Sequence, residues 1–81
     1  MRIPRDIDAE DLISLLRRFG YETTRQTGSH IRLTTTLNGA HHITIPRHHP
    51  LRVGTLQAIL KDIASHLNED WQELANQLFG R

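Results

Sequence analysis

Proton transfer beside a phosphate is the chemistry that the side chains of this sequence suggest first. His30 follows Gly28-Ser29 and alternates with Arg32 and Thr34. That alternation puts its imidazole on the polar side of a strand rather than in a core. An imidazole can accept or donate a proton near neutral pH, as general acid–base catalysis requires. Arg25 and Arg32, close in sequence, can hold a phosphate and stabilise charge that develops on it. The competing reading is a solvated surface histidine between two solvated arginines.

Other residues could assist. Ser29, His42 and His48 are candidates for a second proton-transfer group or for further contacts to the same ligand. Ser29 lacks the third orienting group and the strand–turn–helix setting of a serine hydrolase, so Gly28-Ser29 reads as a turn. The pairs His41-His42 and His48-His49 invite a metal reading through His30, His42 and His48. Adjacent strand residues point to opposite faces, so only one of His41 and His42 can join such a site. The polar face offers no carboxylate to complete it, and no cysteine is present. No metal or other cofactor is therefore expected. His41 is placed at the inner face of the sheet end, partly buried and hydrogen-bonded. Gly54-Thr55 reads as a plain helix start, and Trp71 as core.

These side chains need elements to hold them. Asp8 is a good N-cap, followed by Glu10 and Asp11 in the first turn, where the helix dipole favours negative charge. Ile7 and Leu12 occupy staple positions. Leu12, Ile13, Leu15, Leu16 and Phe19 make one helical stripe, and Gly20 is placed to end it. Three short strands follow, at 21–26, 30–36 and 41–46. Thr27-Gly28-Ser29 is the first turn, and a tight Thr27-Gly28 turn would set Arg25 opposite His30. A loop at Leu37-Asn38-Gly39, with Gly39 left-handed, sets Leu33 opposite Ile43 and Ile31 opposite Ile45. This register keeps one face apolar and collects His30, Arg32, Thr34, His42 and Thr44 on the other. A second helix is expected over about 53–65, with Leu56, Ile59, Leu60 and Ile63 inward. A third is expected over about 69–79, capped by Asn68. Helix, three antiparallel strands, helix, helix makes an α+β two-layer sandwich.

The chain has 81 residues, which predicts a single domain over 1–81 with a core at about 9–65. Such a length buries only about 60–65% of the surface of the unfolded chain. No cysteine excludes disulfide frameworks and thiol nucleophiles. Nothing approaches a membrane span, and the N-terminus lacks the apolar stretch of a signal peptide, so a cytoplasmic location is expected. The net charge of +1 conceals a pattern. Arg17, Arg18, Arg25, Arg32, Arg47, Arg52 and Lys61 are opposed between residues 12 and 61 by Glu22 alone. Acidic segments flank this basic middle, with Asp6, Asp8, Glu10 and Asp11 before it and Asp62, Glu69, Asp70 and Glu73 after it.

Four stretches carry a resemblance to a known family. Arg25-Gln26-Thr27-Gly28-Ser29-His30 is similar to the R-Q-x-G-S-H signature of the HicA (YcfA-like) toxins. Ile43-Thr44-Ile45-Pro46-Arg47-His48 resembles the family's third strand, and Gly54-Thr55-Leu56-Gln57-Ala58-Ile59-Leu60-Lys61 its second helix. Leu12 to Gly20, with Tyr21, resembles its first helix. The resemblance implies a double-stranded-RNA-binding-domain-like fold. It further implies an mRNA interferase, an endoribonuclease that cuts mRNA and halts translation, neutralised by a HicB-type antitoxin. The family's catalytic histidine falls on His30. In such a reaction the RNA 2′-OH attacks its own phosphodiester, with Arg25 and Arg32 as the cationic clamp and no metal. Two other functions fit the residues: a non-catalytic RNA-binding module of the same fold, and an interaction protein that pairs through its open sheet face or edge strand.

Overall fold

The computed structural model describes residues 3–80. Met1, Arg2 and Arg81 lie outside the described residues. Helix α1, Ala9–Leu16, starts at Asp8, whose backbone N–H donates to the Asp11 carboxylate at 3.2 Å. The staple residues Ile7 and Leu12 are both buried. A 3-10 turn, Arg17–Phe19, ends at Gly20 with φ +79°. Glycine is needed there twice over. Its backbone is left-handed, and a Cβ would lie 2.8 Å from Thr35 Oγ1. That buried hydroxyl is already committed, donating to the Phe19 carbonyl at 2.8 Å and accepting from the Leu37 N–H at 3.0 Å.

Strands β1 (Glu22–Thr27), β2 (His30–Thr35) and β3 (His41–Pro46) form an antiparallel sheet in that order. Ile31 pairs with Ile45 and Leu33 with Ile43, as the apolar pattern requires. Gly39 is left-handed in the loop between them, at φ +97°. Helices α2 (Val53–Leu67) and α3 (Trp71–Phe79) complete the order α-β-β-β-α-α. Tyr21, Leu12, Leu16, Leu33, Ile45, Leu56, Leu60, Ile63 and Leu74 are fully buried in one apolar core. The sheet therefore has an inner face against the helices and an outer face of polar residues.

Three details differ from the sequence reading. The first turn is Gly28-Ser29, so Thr27 rather than Arg25 stands opposite His30, and Arg25 stands opposite Arg32. A bulge at Thr24 shifts the β1 register, because Thr23 and Arg25 oppose the consecutive residues Leu33 and Arg32 with one residue extra between them. The bulge also places Glu22 opposite Thr34, so the outer face does hold a carboxylate. Asn68 does not cap the third helix. It ends α2 in the left-handed conformation, φ 60°, and Asp70 caps α3. Asparagine suits both positions, and its tolerance of left-handed backbone is what the chain uses.

A hydrogen-bonded chain that starts at the buried Tyr21 ties the sheet end to α2. The Tyr21 hydroxyl meets His41 Nδ1 at 2.7 Å, and His41 Nε2 meets Asp62 Oδ1 at 3.2 Å. The His41 ring stacks on His66 at 4.4 Å, and His66 Nε2 holds the Leu37 and Gly39 carbonyls at 2.9 and 3.0 Å. Burial, with Asp62 nearby, pushes the Tyr21 phenol up to about 12 from an ordinary 10. A raised value means that the folded state prefers the neutral phenol. This contribution to stability is complete below pH 10 and is lost as pH rises towards 12. The chain has one tyrosine, so phenolate absorbance reports it alone. Its midpoint is expected near 12, with alkaline unfolding across the same window. A midpoint at 10 in the folded chain would contradict the buried hydrogen-bonded phenol.

Candidate functional site

The outer face of the sheet carries its polar residues because β2 alternates. His30, Arg32 and Thr34 point out, while Ile31, Leu33 and Thr35 are buried. The cross-strand pairs add Thr44 opposite Arg32 and His42 opposite Thr34. From β1 come Arg25 and Thr27. Arg25, Thr27, His30, Arg32 and Thr44 line one shallow depression of about 180 Å³. The imidazole at position 30 is thus exposed beside two guanidinium groups.

Arg25 and Arg32 are directly opposite each other. Like charges in that relation repel. Among the described residues neither arginine makes an ion pair, although Arg47 does so with Glu10 at 3.1 Å. The two cations therefore lack an internal anion and could share an external one. A phosphate has oxygens enough for both guanidinium forks.

Ser29 Oγ lies 3.0 Å from His30 Nδ1. A hydroxyl can donate to a bare ring nitrogen or accept from a protonated one. Ser29 can therefore satisfy Nδ1 in either state and leaves Nε2 free to exchange a proton outward. The Gly28-Ser29 turn sits at the rim of this cluster. A Cβ at Gly28 would meet nothing within 4 Å, so packing does not demand glycine there.

His42 and His48 are placed differently. His42 Nδ1 meets Thr34 Oγ1 at 2.8 Å, and Thr34 Oγ1 meets Thr24 Oγ1 at 2.9 Å. This puts His42 four residues along the sheet from His30, about 13 Å away at 3.3 Å per residue. The two imidazoles cannot flank one phosphodiester. The Arg47 N–H donates to the Ser29 carbonyl at 2.9 Å, and the His48 N–H turns back to Pro46. His48 follows at this end of the sheet, exposed, and among the described residues no hydrogen bond joins its side chain to His30, Arg25 or Arg32. No group of three or more His, Cys, Asp or Glu among the described residues is placed to hold a metal ion. Thr24 and Thr27 escaped the sequence reading. Thr24 reaches the outer face only through the bulge, and no glycine or proline marks that bulge.

A family model described as the HicA toxin of bacterial toxin–antitoxin matches residues 9–64, more than two thirds of the 81. The match takes in α1, the whole sheet and most of α2, and leaves α3 outside. No curated protein and no solved structure matches the chain.

Proposed function

The chain belongs to the HicA toxin family of bacterial toxin–antitoxin systems, and we propose that it is a metal-independent endoribonuclease that cuts mRNA and is neutralised by a HicB-type antitoxin in the cytoplasm. The observation that carries this reading is the facing pair Arg25 and Arg32 with His30 at its side. The guanidinium groups hold the non-bridging oxygens of one phosphodiester. His30 Nε2 moves a proton at the reacting ribose, while Ser29 orients the ring. The bond from the 2′-oxygen to phosphorus forms as the bond from phosphorus to the 5′-oxygen breaks. The 2′-OH loses a proton and the leaving 5′-oxygen gains one. The products are a 2′,3′-cyclic phosphate and a free 5′-OH.

The non-catalytic module uses the same cations, so the assay must detect cutting rather than binding. Free chain incubated with RNA in EDTA is expected to produce fragments that end in cyclic phosphate. Salt-sensitive binding with intact RNA would make it the non-catalytic module instead. Salt-insensitive behaviour without RNA binding would make it an interaction protein, because phosphate contacts weaken with salt. No described helix is long and apolar enough to cross a membrane.

A further inference from the structure

Strand β1 breaks the rule that its neighbours obey. The inner-face residues of β2 and β3, Ile31, Leu33, Ile43 and Ile45, are apolar and buried. All six residues of β1 are exposed. Its inner-face pair, Thr23 opposite Leu33 and Gln26 opposite Ile31, is polar and not covered by α1. A cleft of about 250 Å³ opens there instead, between β1 and α1. Ile13 and Ile31, each more than nine-tenths buried, show only their edges to it, and Ser14, Thr23 and Gln26 supply hydrogen-bonding groups. Arg17 stands at its margin and makes no ion pair among the described residues. Arg47, also at the margin, is held by Glu10.

This cleft adjoins the outer-face cluster through a single residue step. Arg25 and Gln26 are consecutive, so their Cα atoms are about 3.8 Å apart and their side chains leave opposite faces of the edge strand. Among the described residues no other strand lies beyond β1, so nothing in the described sheet blocks a chain that crosses this edge. We propose that the cleft is a nucleobase subsite: an RNA strand wraps the β1 edge, with a phosphate on Arg25 and Arg32 and an adjacent base seated in the cleft, its edge read by the Gln26 amide. The chemistry fits the lining. A base is flat and apolar on its faces, and it carries donors and acceptors at its rim. A glutamine amide matches the N6 and N7 edge of adenine with two hydrogen bonds. Arg17 is placed for the phosphate of that same nucleotide.

The inference rests on the endoribonuclease reading for its ligand, and its test separates the two. Short RNA oligonucleotides with a 2′-deoxy substitution at the scissile position are bound but not cut. Four such oligonucleotides, differing only in the base beside that position, are titrated by fluorescence anisotropy against wild type and Gln26→Ala. Wild type is expected to prefer adenine by roughly 5- to 150-fold, the range that a two-bond amide contact gives. Gln26→Ala is expected to flatten that preference and leave binding of the least favoured base unchanged. Gln26 is exposed, so the variant should fold. Ser14→Phe provides a second variant that fills the cleft from α1 and should also abolish the preference. Equal affinity for all four bases in wild type overturns the subsite, as does a preference that survives both variants. Loss of antitoxin binding without any base preference would assign the cleft to the protein partner and overturn it as well. Cleavage of unmodified RNA in parallel reports on the enzyme reading independently.

Discussion

Alanine at position 30 is expected to lower RNA cleavage by about 10²- to 10⁴-fold, the usual contribution of a positioned acid–base group, and to abolish growth arrest when the chain is induced without an antitoxin. The effect should be chemical rather than structural. His30 is exposed, and its Nδ1 meets only the neighbouring Ser29 hydroxyl, at 3.0 Å. Surface substitutions of this kind change stability by about 0.5 kcal/mol or less, so the thermal midpoint should barely move. RNA affinity should change little too, because Arg25 and Arg32 remain. This combination distinguishes the enzyme from the binding module. An enzyme loses turnover and keeps binding, whereas a module has no turnover to lose. His30→Gln keeps polarity and approximate size without a titratable nitrogen, and should be as inactive as alanine. The outcome that removes His30 from the chemistry is equal cleavage by wild type and both variants in EDTA. His42→Ala is the internal control. Some 13 Å along the sheet and tied to Thr34, it should cut at close to the wild-type rate.

Much of this was legible in the residues, and what was not has identifiable causes. The outward imidazole at position 30 follows from period-two alternation across Ile31 and Leu33, which burial of one face enforces. The register of β2 against β3 was legible for the same reason, since both strands carry apolar pairs that must share a face. Strand β1 offers no such anchor. Its residues are all exposed, so neither the turn position nor the bulge at Thr24 was constrained by the apolar pattern. The facing of Arg25 and Arg32 depends on the turn position, and the presence of Glu22 on the outer face depends on the bulge; both became visible only in three dimensions. Asn68 was ambiguous in a different way. Its side chain can cap a helix start, and its backbone can end one, and local sequence does not decide between them.

The facing arginines also predict a trade between stability and activity. Two cations directly across an antiparallel pair cost the fold a few tenths of a kcal/mol to about 1 kcal/mol. Arg25→Thr and Arg32→Thr should each relieve that repulsion, since threonine is at home in an exposed strand. For a domain of this size 1 kcal/mol moves the thermal midpoint by about 4–8 °C. A rise of a few degrees at low ionic strength is therefore expected for either variant. The gain should shrink as added salt screens charges beyond about 10 Å at 0.1 M. Cleavage should move the other way. Removing one donor that stabilises developing charge typically costs about 10²- to 10³-fold. Each lost phosphate contact should also reduce the salt dependence of RNA binding by about 0.7 in log–log slope. Sulfate supplies the same argument from the ligand side, because an anion that bridges the two guanidinium groups should stabilise wild type more than either variant. Thermal unfolding at several ionic strengths, with and without sulfate, measures all of this alongside a cleavage assay. A variant that is less stable than wild type, or equally active, would show that the pair does not hold a phosphate. Two facing cations that make no ion pair among the described residues cost stability that a bound anion would relieve, and the imidazole two pairs further along, in the next pair on that face, is where the anion's chemistry would take place.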